Sequence, residues 1–198
     1  MFSSCSPASA LAAGCPVIVK AHPGHPGTAG LVAGAIVEAA KSLGLPEGVF
    51  SMLYDAGHGI GSALVSHPVI QAVGFTGSRA GGTALMKLAA ARPQPIPVYA
   101  EMSSVNPVFL LPGALAERGA ALATGLAASV TMGVGQFCTS PGLVVVDQNA
   151  DPSAFRQALA DALGGVAPGV MLNHGIRHNY EDKRSRLAGH PGVSEILT

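Results

Sequence analysis

The chain has 198 residues, 48% of them hydrophobic, which is ample for a packed core in one full domain or in parts of two. Eleven Lys and Arg balance eleven Asp and Glu, and no basic stripe runs along any face, so counterion-driven nucleic-acid binding lacks its main requirement. Apolar runs are broken by Gly, Pro or a charge before membrane-spanning length, and Met1 to Gly14 lacks the basic start of a secretory signal; a cytoplasmic chain without a membrane partner is expected.

Cysteines stand at 5, 15 and 138, an odd count with no CxxC spacing. That suits neither a disulfide framework nor a zinc site, and fits a reducing compartment. Cys15 is expected to pack at the mouth of a β-branched strand, Pro16 to Lys20. A charged residue closing such a strand points toward a ligand edge in open α/β sheets. Ala21-His-Pro-Gly-His-Pro-Gly27 reads as neither helix nor strand. Thr28 is then expected to cap a helix from Ala29 to Leu43, with Leu31, Val32, Ile36 and Ala39 on one face. His22 and His25 have the spacing of a metal pair, but no carboxylate or thiol accompanies them nearby, so no metal site is expected.

Val49 to Tyr54 reads as a strand, followed by the bend Asp55-Ala-Gly-His-Gly-Ile-Gly61 and a helix to about Ser66. The alternating glycines, Gly57 among them, match a dinucleotide fingerprint only in part. The next unit is stronger: a strand from Val69 to Phe75, the turn Thr76-Gly-Ser-Arg-Ala-Gly-Gly82, and a helix from Thr83 to Ala91. A Gly-Ser turn at a helix start offers free N–H donors and a positive dipole end, which suits a phosphate. An ordinary helix cap would also explain Gly77 and Ser78. The strand, turn and helix rhythm occurs three times, however, which indicates a parallel sheet with crossovers and favours a nucleotide site.

Arg92-Pro-Gln-Pro-Ile-Pro97 breaks that rhythm, and short strands at Val98 to Glu101 and Val105 to Leu111 flank Met102-Ser-Ser104. Composition shifts here, and a domain boundary is expected. Glu101 follows an apolar strand with no basic partner close in sequence. It is either a partly desolvated carboxylate with a raised pKa, able to exchange protons near neutrality, or a side chain that emerges into solvent. A helix from Ala114 to about Met132 leads to Gly133-Val-Gly-Gln-Phe-Cys-Thr-Ser-Pro-Gly142 and the strand Leu143 to Asp147. Small residues around Cys138 leave room for a carbonyl, and backbone N–H groups to receive an oxyanion, as a nucleophile requires. The alternative is a small buried hydrophobe. Asp151 to Leu163 and Gly175 to Leu187 read as helices, the second solvated.

Lys20 closing a strand, Phe75-Thr-Gly-Ser78 with Gly82, Glu101 after a strand, and Gly135-Gln-Phe-Cys138 stand in the order and approximate spacing of the aldehyde dehydrogenase superfamily. The chain resembles that family from about Ala10 to its end. The strings Lys20-Ala-His-Pro-Gly-His-Pro-Gly27, Gly74-Phe-Thr-Gly-Ser-Arg-Ala-Gly-Gly82 and Tyr99-Ala-Glu-Met-Ser-Ser-Val-Asn-Pro107 are most similar to its NADP-dependent branch, which oxidises α-ketoglutaric semialdehyde.

The resemblance implies an α/β fold: residues 1–102 as the later part of a Rossmann-like cofactor domain, and 103–198 as the first part of the catalytic domain. It implies Cys138 as nucleophile, adding to the aldehyde through a thiohemiacetal and a thioester, and Glu101 as the base that activates the hydrolytic water. Lys20, with His22, would hold the adenosine ribose region, and Gly77, Ser78 and Gly82 the pyrophosphate; Gly57 is carried with them as a cofactor-binding candidate. NAD-using members commonly have a glutamate three residues after the lysine, and here the position is Pro23. NADP is therefore expected ahead of NAD, with Lys20 and His22 or Arg79 facing the added phosphate.

Members usually carry Glu-Leu-Gly-Gly where this chain has Glu101-Met-Ser-Ser104, which stiffens the backbone beside the base. Family segments before and after those matched here, including an oxyanion-hole asparagine, a Glu-x-Phe cofactor motif and an oligomerisation segment, are not in the chain. An incomplete aldehyde dehydrogenase is expected, poorly active or inactive alone and prone to associate, whose full-length relatives are homo-oligomers. Two other readings remain: a non-catalytic nucleotide-binding or interaction fragment, and a cysteine acyltransferase or hydrolase needing no cofactor.

Overall fold

The computed structural model describes residues 5–196. It divides into two compact units, residues 1–103 and 104–198. Each is built from strands of four residues joined by helical crossovers, and every strand pair is parallel.

The first unit opens with a short helix, α1 (Cys5–Ala12), and holds two such pairs. β1 (Val17–Lys20) passes through α2 (Pro26–Ser42) to β2 (Phe50–Leu53), with Lys20 opposite Leu53. After α3 (Gly59–Ser66), β3 (Val73–Thr76) passes through α4 (Arg79–Ala90) to β4 (Val98–Glu101), with Thr76 opposite Glu101. The parallel crossovers are as expected, but the strands form separate pairs and not one sheet. The buried face of α2 is Ala29 and Ala33, one turn apart. Leu31, expected to face inward, is 79% exposed. Small side chains at that spacing let the helix lie close against its neighbours, and the larger ones turn outward.

Several boundaries differ from expectation for local reasons. α2 begins at Pro26, with His25 before it, and not after Thr28. Proline is preset for the first helical position, so the Pro-Gly pair opens the helix where it was expected to exclude one. α4 likewise starts four residues early, because Ser78 caps it and Gly81 and Gly82 lie inside the first turn. Val69 to Ala72 are not strand. Arg92 donates from Nη1 to the carbonyls of Val65 and Ile70, both at 3.0 Å, and from Nη2 to that of Pro68 at 3.3 Å. Those contacts fold the segment around the guanidinium and keep it out of a ladder.

The second unit is β5 (Pro107–Leu110), α5 (Pro112–Thr131), a 3-10 turn (Met132–Gly135), β6 (Leu143–Val146), α6 (Ser153–Gly164) and α7 (His174–Ala188). β5 and β6 pair in parallel, Pro107 opposite Leu143. Leu110, Leu115, Ala123 and Phe155 are its buried centre, with Val108, Leu122, Leu126, Val144 and Val146 packed around them. Surface α7 buries no residue, as its charge anticipates. Among the described residues no helix is long and apolar enough to cross a membrane.

Candidate active site

In the first unit the chemistry-bearing residues gather at the carboxyl ends of the strands. Lys20, the last residue of β1, is half-buried, and the bend after β2 follows its partner Leu53. Asp55 organises that bend: its Oδ1 accepts the Gly57 N–H at 2.8 Å and its Oδ2 the Ile60 N–H at 2.9 Å. These two bonds, with smaller help from the positive charges of Lys20 and His58, hold its carboxyl below the usual carboxylate range. The start of α3 therefore already carries an anion, and the Gly57 N–H is committed to it. The signal for Asp55 lies in the sequence, since an aspartate two residues before a glycine at a helix start is a capping pattern.

His22 accepts the Gly24 N–H on Nδ1 at 3.0 Å and stacks on His25, ring centroids 5.2 Å apart. Partial desolvation, then the nearby charges of His25 and Lys20, push its pKa down, so the ring is mainly neutral at pH 7. Among the described residues no group of three or more His, Cys, Asp or Glu is placed to hold a metal ion.

At the second turn, Ser78 Oγ accepts the Gly81 N–H at 3.1 Å and caps α4. The N–H of Gly77 donates to the Glu101 carbonyl at 3.0 Å, and that of Gly82 to the Ser78 carbonyl at 2.9 Å. Both N–H groups expected to face a phosphate are thus used inside the unit. The N–H groups of Arg79 and Ala80 have no hydrogen-bond partner among the described residues, as the first residues of a helix should. Gly77 and Gly82 matter for space instead. A Cβ at Gly77 would come within 2.7 Å of the Phe75 ring, and one at Gly82, which is buried, within 2.6 Å of Met102 Sδ. Glu101 stands beside this turn through its carbonyl and is exposed. Its side chain thus emerges into solvent in this unit, the second of the two alternatives its place in the sequence leaves open.

In the second unit, α5 ends at Thr131 and the chain reverses through three successive left-handed residues, Gly133 (φ 57°), Val134 (φ 59°) and Gly135 (φ 69°). The glycines take this readily; for a β-branched valine it is strained. Val134 packs on Gly169, where a Cβ would lie 2.5 Å from its Cγ2. Gln136 pins the turn on both sides, donating from Nε2 to the Gly133 carbonyl and accepting the Leu172 N–H on Oε1, each at 2.9 Å.

Cys138 follows and is exposed, so it is not the buried hydrophobe of the alternative reading. Cys15, expected to pack, is exposed as well, since it lies between the left-handed Gly14 and the start of β1. The N–H groups of Cys138 and Thr139 have no hydrogen-bond partner among the described residues. The carbonyls of this turn are engaged. Asn106 Nδ2 donates to the Cys138 carbonyl at 2.8 Å and to the Ser140 carbonyl at 3.1 Å, and Ser104 Oγ donates to the Cys138 carbonyl. Gly142 N–H donates to the Val105 carbonyl at 2.8 Å. From the sequence Ser104 is legible only as a stiffening substitution and Asn106 not at all, because the partners of Asn106 lie 32 to 34 residues away. A groove of about 290 Å³ in this unit, lined by Val108, Leu110, Leu122, Leu126 and Phe155 among others, is apolar and excludes Cys138.

The chain belongs to the aldehyde dehydrogenase family, whose profile matches residues 1–176. It is 60% identical over 189 residues to alpha-ketoglutaric semialdehyde dehydrogenase 2 of Azospirillum brasilense, and 49% identical over 190 residues to alpha-ketoglutaric semialdehyde dehydrogenase of Acinetobacter baylyi. Each match covers 96% of this chain, which spans 36% of the length of either relative. Among solved structures it is similar to an aldehyde dehydrogenase C mutant from Pseudomonas syringae in complex with NAD+ and octanal, with a TM-score of 0.84 and 25% identity. That match covers 96% of this chain and 39% of the other.

Proposed function

We propose that this chain serves the NADP-dependent oxidation of an aldehyde, α-ketoglutaric semialdehyde, to the carboxylate 2-oxoglutarate. Residues 1–102 contribute cofactor binding and residues 103–198 the nucleophile. The observation that carries the reading is an exposed Cys138 whose own N–H is uncommitted while the carbonyls beside it are tied back.

The thiolate of Cys138 adds to the aldehyde carbon, forming a C–S bond and an oxyanion that accepts a hydrogen bond from the Cys138 N–H. Loss of hydride from that carbon leaves a thioester. Glu101 takes a proton from water, which attacks the thioester and releases the acid and the thiol. The semialdehyde as substrate follows the two relatives that carry it in their names.

The residues present suit a dinucleotide at the start of α4 better than at α3. Two unpartnered N–H groups, the Ser78 turn and the Arg79 side chain present positive charge at α4, whereas Asp55 already places a carboxylate at α3. A nicotinamide cofactor, when bound, supplies the hydride acceptor. Lys20 and His22 would meet its ribose end, Ser78 its phosphates, and Gly57, Gly77 and Gly82 would serve by shaping the two turns. Pro23 brings no carboxylate to repel a 2′-phosphate, and with His22 mainly neutral the positive charge there falls to Lys20 and Arg79.

A single-turnover trace of NADPH absorbance, with stoichiometric chain, NADP and the semialdehyde, tests the reading. A burst lost in Cys138→Ser supports it, and a burst that survives the substitution defeats it. Equal or tighter binding of NAD in a competition titration would remove the NADP preference.

A further inference from the structure

The hydrogen bonds around Cys138 carry a second consequence for the chemistry of its thiol. Asn106 sits in the left-handed region (φ 46°), one of the few positions where asparagine is favoured over other side chains. From there its amide nitrogen reaches two carbonyls of the same turn, those of Cys138 and Ser140. A carbonyl can only accept, so the amide must present its NH₂ to the turn. Ser104 Oγ takes the Cys138 carbonyl as well and accepts from Asn106 Nδ2 at 3.1 Å. Gly142 N–H on the Val105 carbonyl closes the same seam, and the β5–β6 ladder begins at the next pair, Pro107 and Leu143. Residues 104–106 thus bind residues 138–142 along one line.

The effect on Cys138 follows from the planarity of the peptide unit. In a trans peptide the C=O and the following N–H point in opposite directions. Tying the Cys138 carbonyl toward Asn106 and Ser104 therefore turns the Thr139 N–H away from them. The Cys138 carbonyl is directed into the seam, which leaves the Thr139 N–H of the same peptide free to act on a charge formed at the sulfur; the Cys138 N–H lies on the preceding peptide, whose Phe137 carbonyl accepts the Ser140 N–H at 3.1 Å. The groups that hold the turn, Ser104, Val105, Asn106 and Gln136, carry no ionisable side chain. Dipole orientation, and not a neighbouring charge, is the means these groups have of favouring a thiolate.

We propose that Asn106, together with Ser104, is a positioning residue for Cys138, holding the Cys138 carbonyl, and Asn106 also that of Ser140, in the seam so that the thiolate is favoured. This rests on reading Cys138 as the nucleophile. Ser104 is of particular interest because it stands where members of the wider family usually have glycine: its hydroxyl is a second tether on the Cys138 carbonyl.

The test is the pH dependence of Cys138 alkylation by iodoacetamide in the full chain, followed by peptide mass mapping with Cys15 as internal reference. Asn106→Ala and Ser104→Ala should move the Cys138 profile to higher pH. A shift of one unit would cut the thiolate fraction near pH 7 by about tenfold and raise the thiolate's nucleophilicity by about threefold, so that alkylation slows by about three- to fourfold near pH 7 while the high-pH limit rises by no more than about threefold. Ser104→Thr, which keeps the hydroxyl, should restore the wild-type profile even if Asn106→Ala fails to fold. A profile unmoved in folded variants, with wild-type Cys138 reacting faster than Cys15, would overturn the positioning role alone. Equal loss at both pH limits would also overturn it, as that marks general disruption of the turn. A wild-type Cys138 no faster than Cys15 would defeat the nucleophile reading and this inference with it.

Discussion

The N–H of Gly142 donates to the carbonyl oxygen of Val105 at 2.8 Å, and a Cβ on Gly142 would lie 2.8 Å from that same oxygen. The φ of Gly142 is not in the left-handed region, so glycine stands there for room. Gly142→Ala should push the Cys138 turn from the start of β5 and cost about 1–3 kcal/mol, the usual range for overpacking against a rigid neighbour. Urea denaturation would measure it, and a variant as stable as wild type would show that the two segments are not seamed there.

Gly82 lies under Met102, whose side chain can move. Gly82→Ala should therefore cost less than Gly142→Ala, about 1 kcal/mol. Shortening the methionine should return part of it: Gly82→Ala combined with Met102→Ala is expected to be more stable than the sum of the single effects allows. Strict additivity in the double-mutant cycle would contradict the contact.

Arg92 donates to the carbonyls of Val65, Pro68 and Ile70, of which, among the described residues, only that of Pro68 has a second side-chain donor, Gln71 Nε2 at 3.5 Å. Replacing Arg92 by Met keeps much of the stem and removes the donors, and should cost about 1.5–3 kcal/mol, as for hydrogen bonds from a charged group. Hydrogen exchange should rise most in the segment from Val65 to Ala72. Unchanged exchange there would mean that the segment holds its shape without the guanidinium.

Asp55 has a folded-state pKa below its ordinary 3.8 because two N–H groups bond its ionised form. A depressed acidic pKa stabilises the fold above the unfolded value, and the contribution is lost as pH falls from there through the lower folded value. Thermal melts between neutral pH and strong acid should show a loss below about pH 4 that is weaker in Asp55→Asn. Parallel acid limbs for the two proteins would contradict the assignment.

Much of the fold is legible where local sequence decides. Val17 to Lys20, Val98 to Glu101 and Leu143 to Val146 are short strand formers bounded by Pro or Gly, and each is a strand. Helix starts were harder. Pro26-Gly27 and Gly81-Gly82 read as breakers, yet a proline at the first position and a serine cap ahead of the glycines make both first turns. The segment after Pro68 looked like strand because its fate depends on Arg92, 22 to 27 residues away. The Cys138 turn could be picked out from its glycines, but not the strained Val134 or the side chains of Ser104 and Asn106, which act across a sequence gap no local pattern reports. Exposure is as hard to read: Leu31 and Cys15, expected inside, are exposed, because burial depends on what packs above a residue more than on its own polarity.

The proposed function turns on a bond between the substrate carbon and Cys138, and that bond can be trapped. Glu101→Gln chain, mixed with NADP and α-ketoglutaric semialdehyde, quenched in acid and digested, should yield the Cys138 peptide carrying the mass of the acyl group, because in the proposed mechanism hydrolysis then lacks its base. NADPH formed while the Cys138 peptide stays unmodified, or the acyl mass found on another residue, would contradict the account.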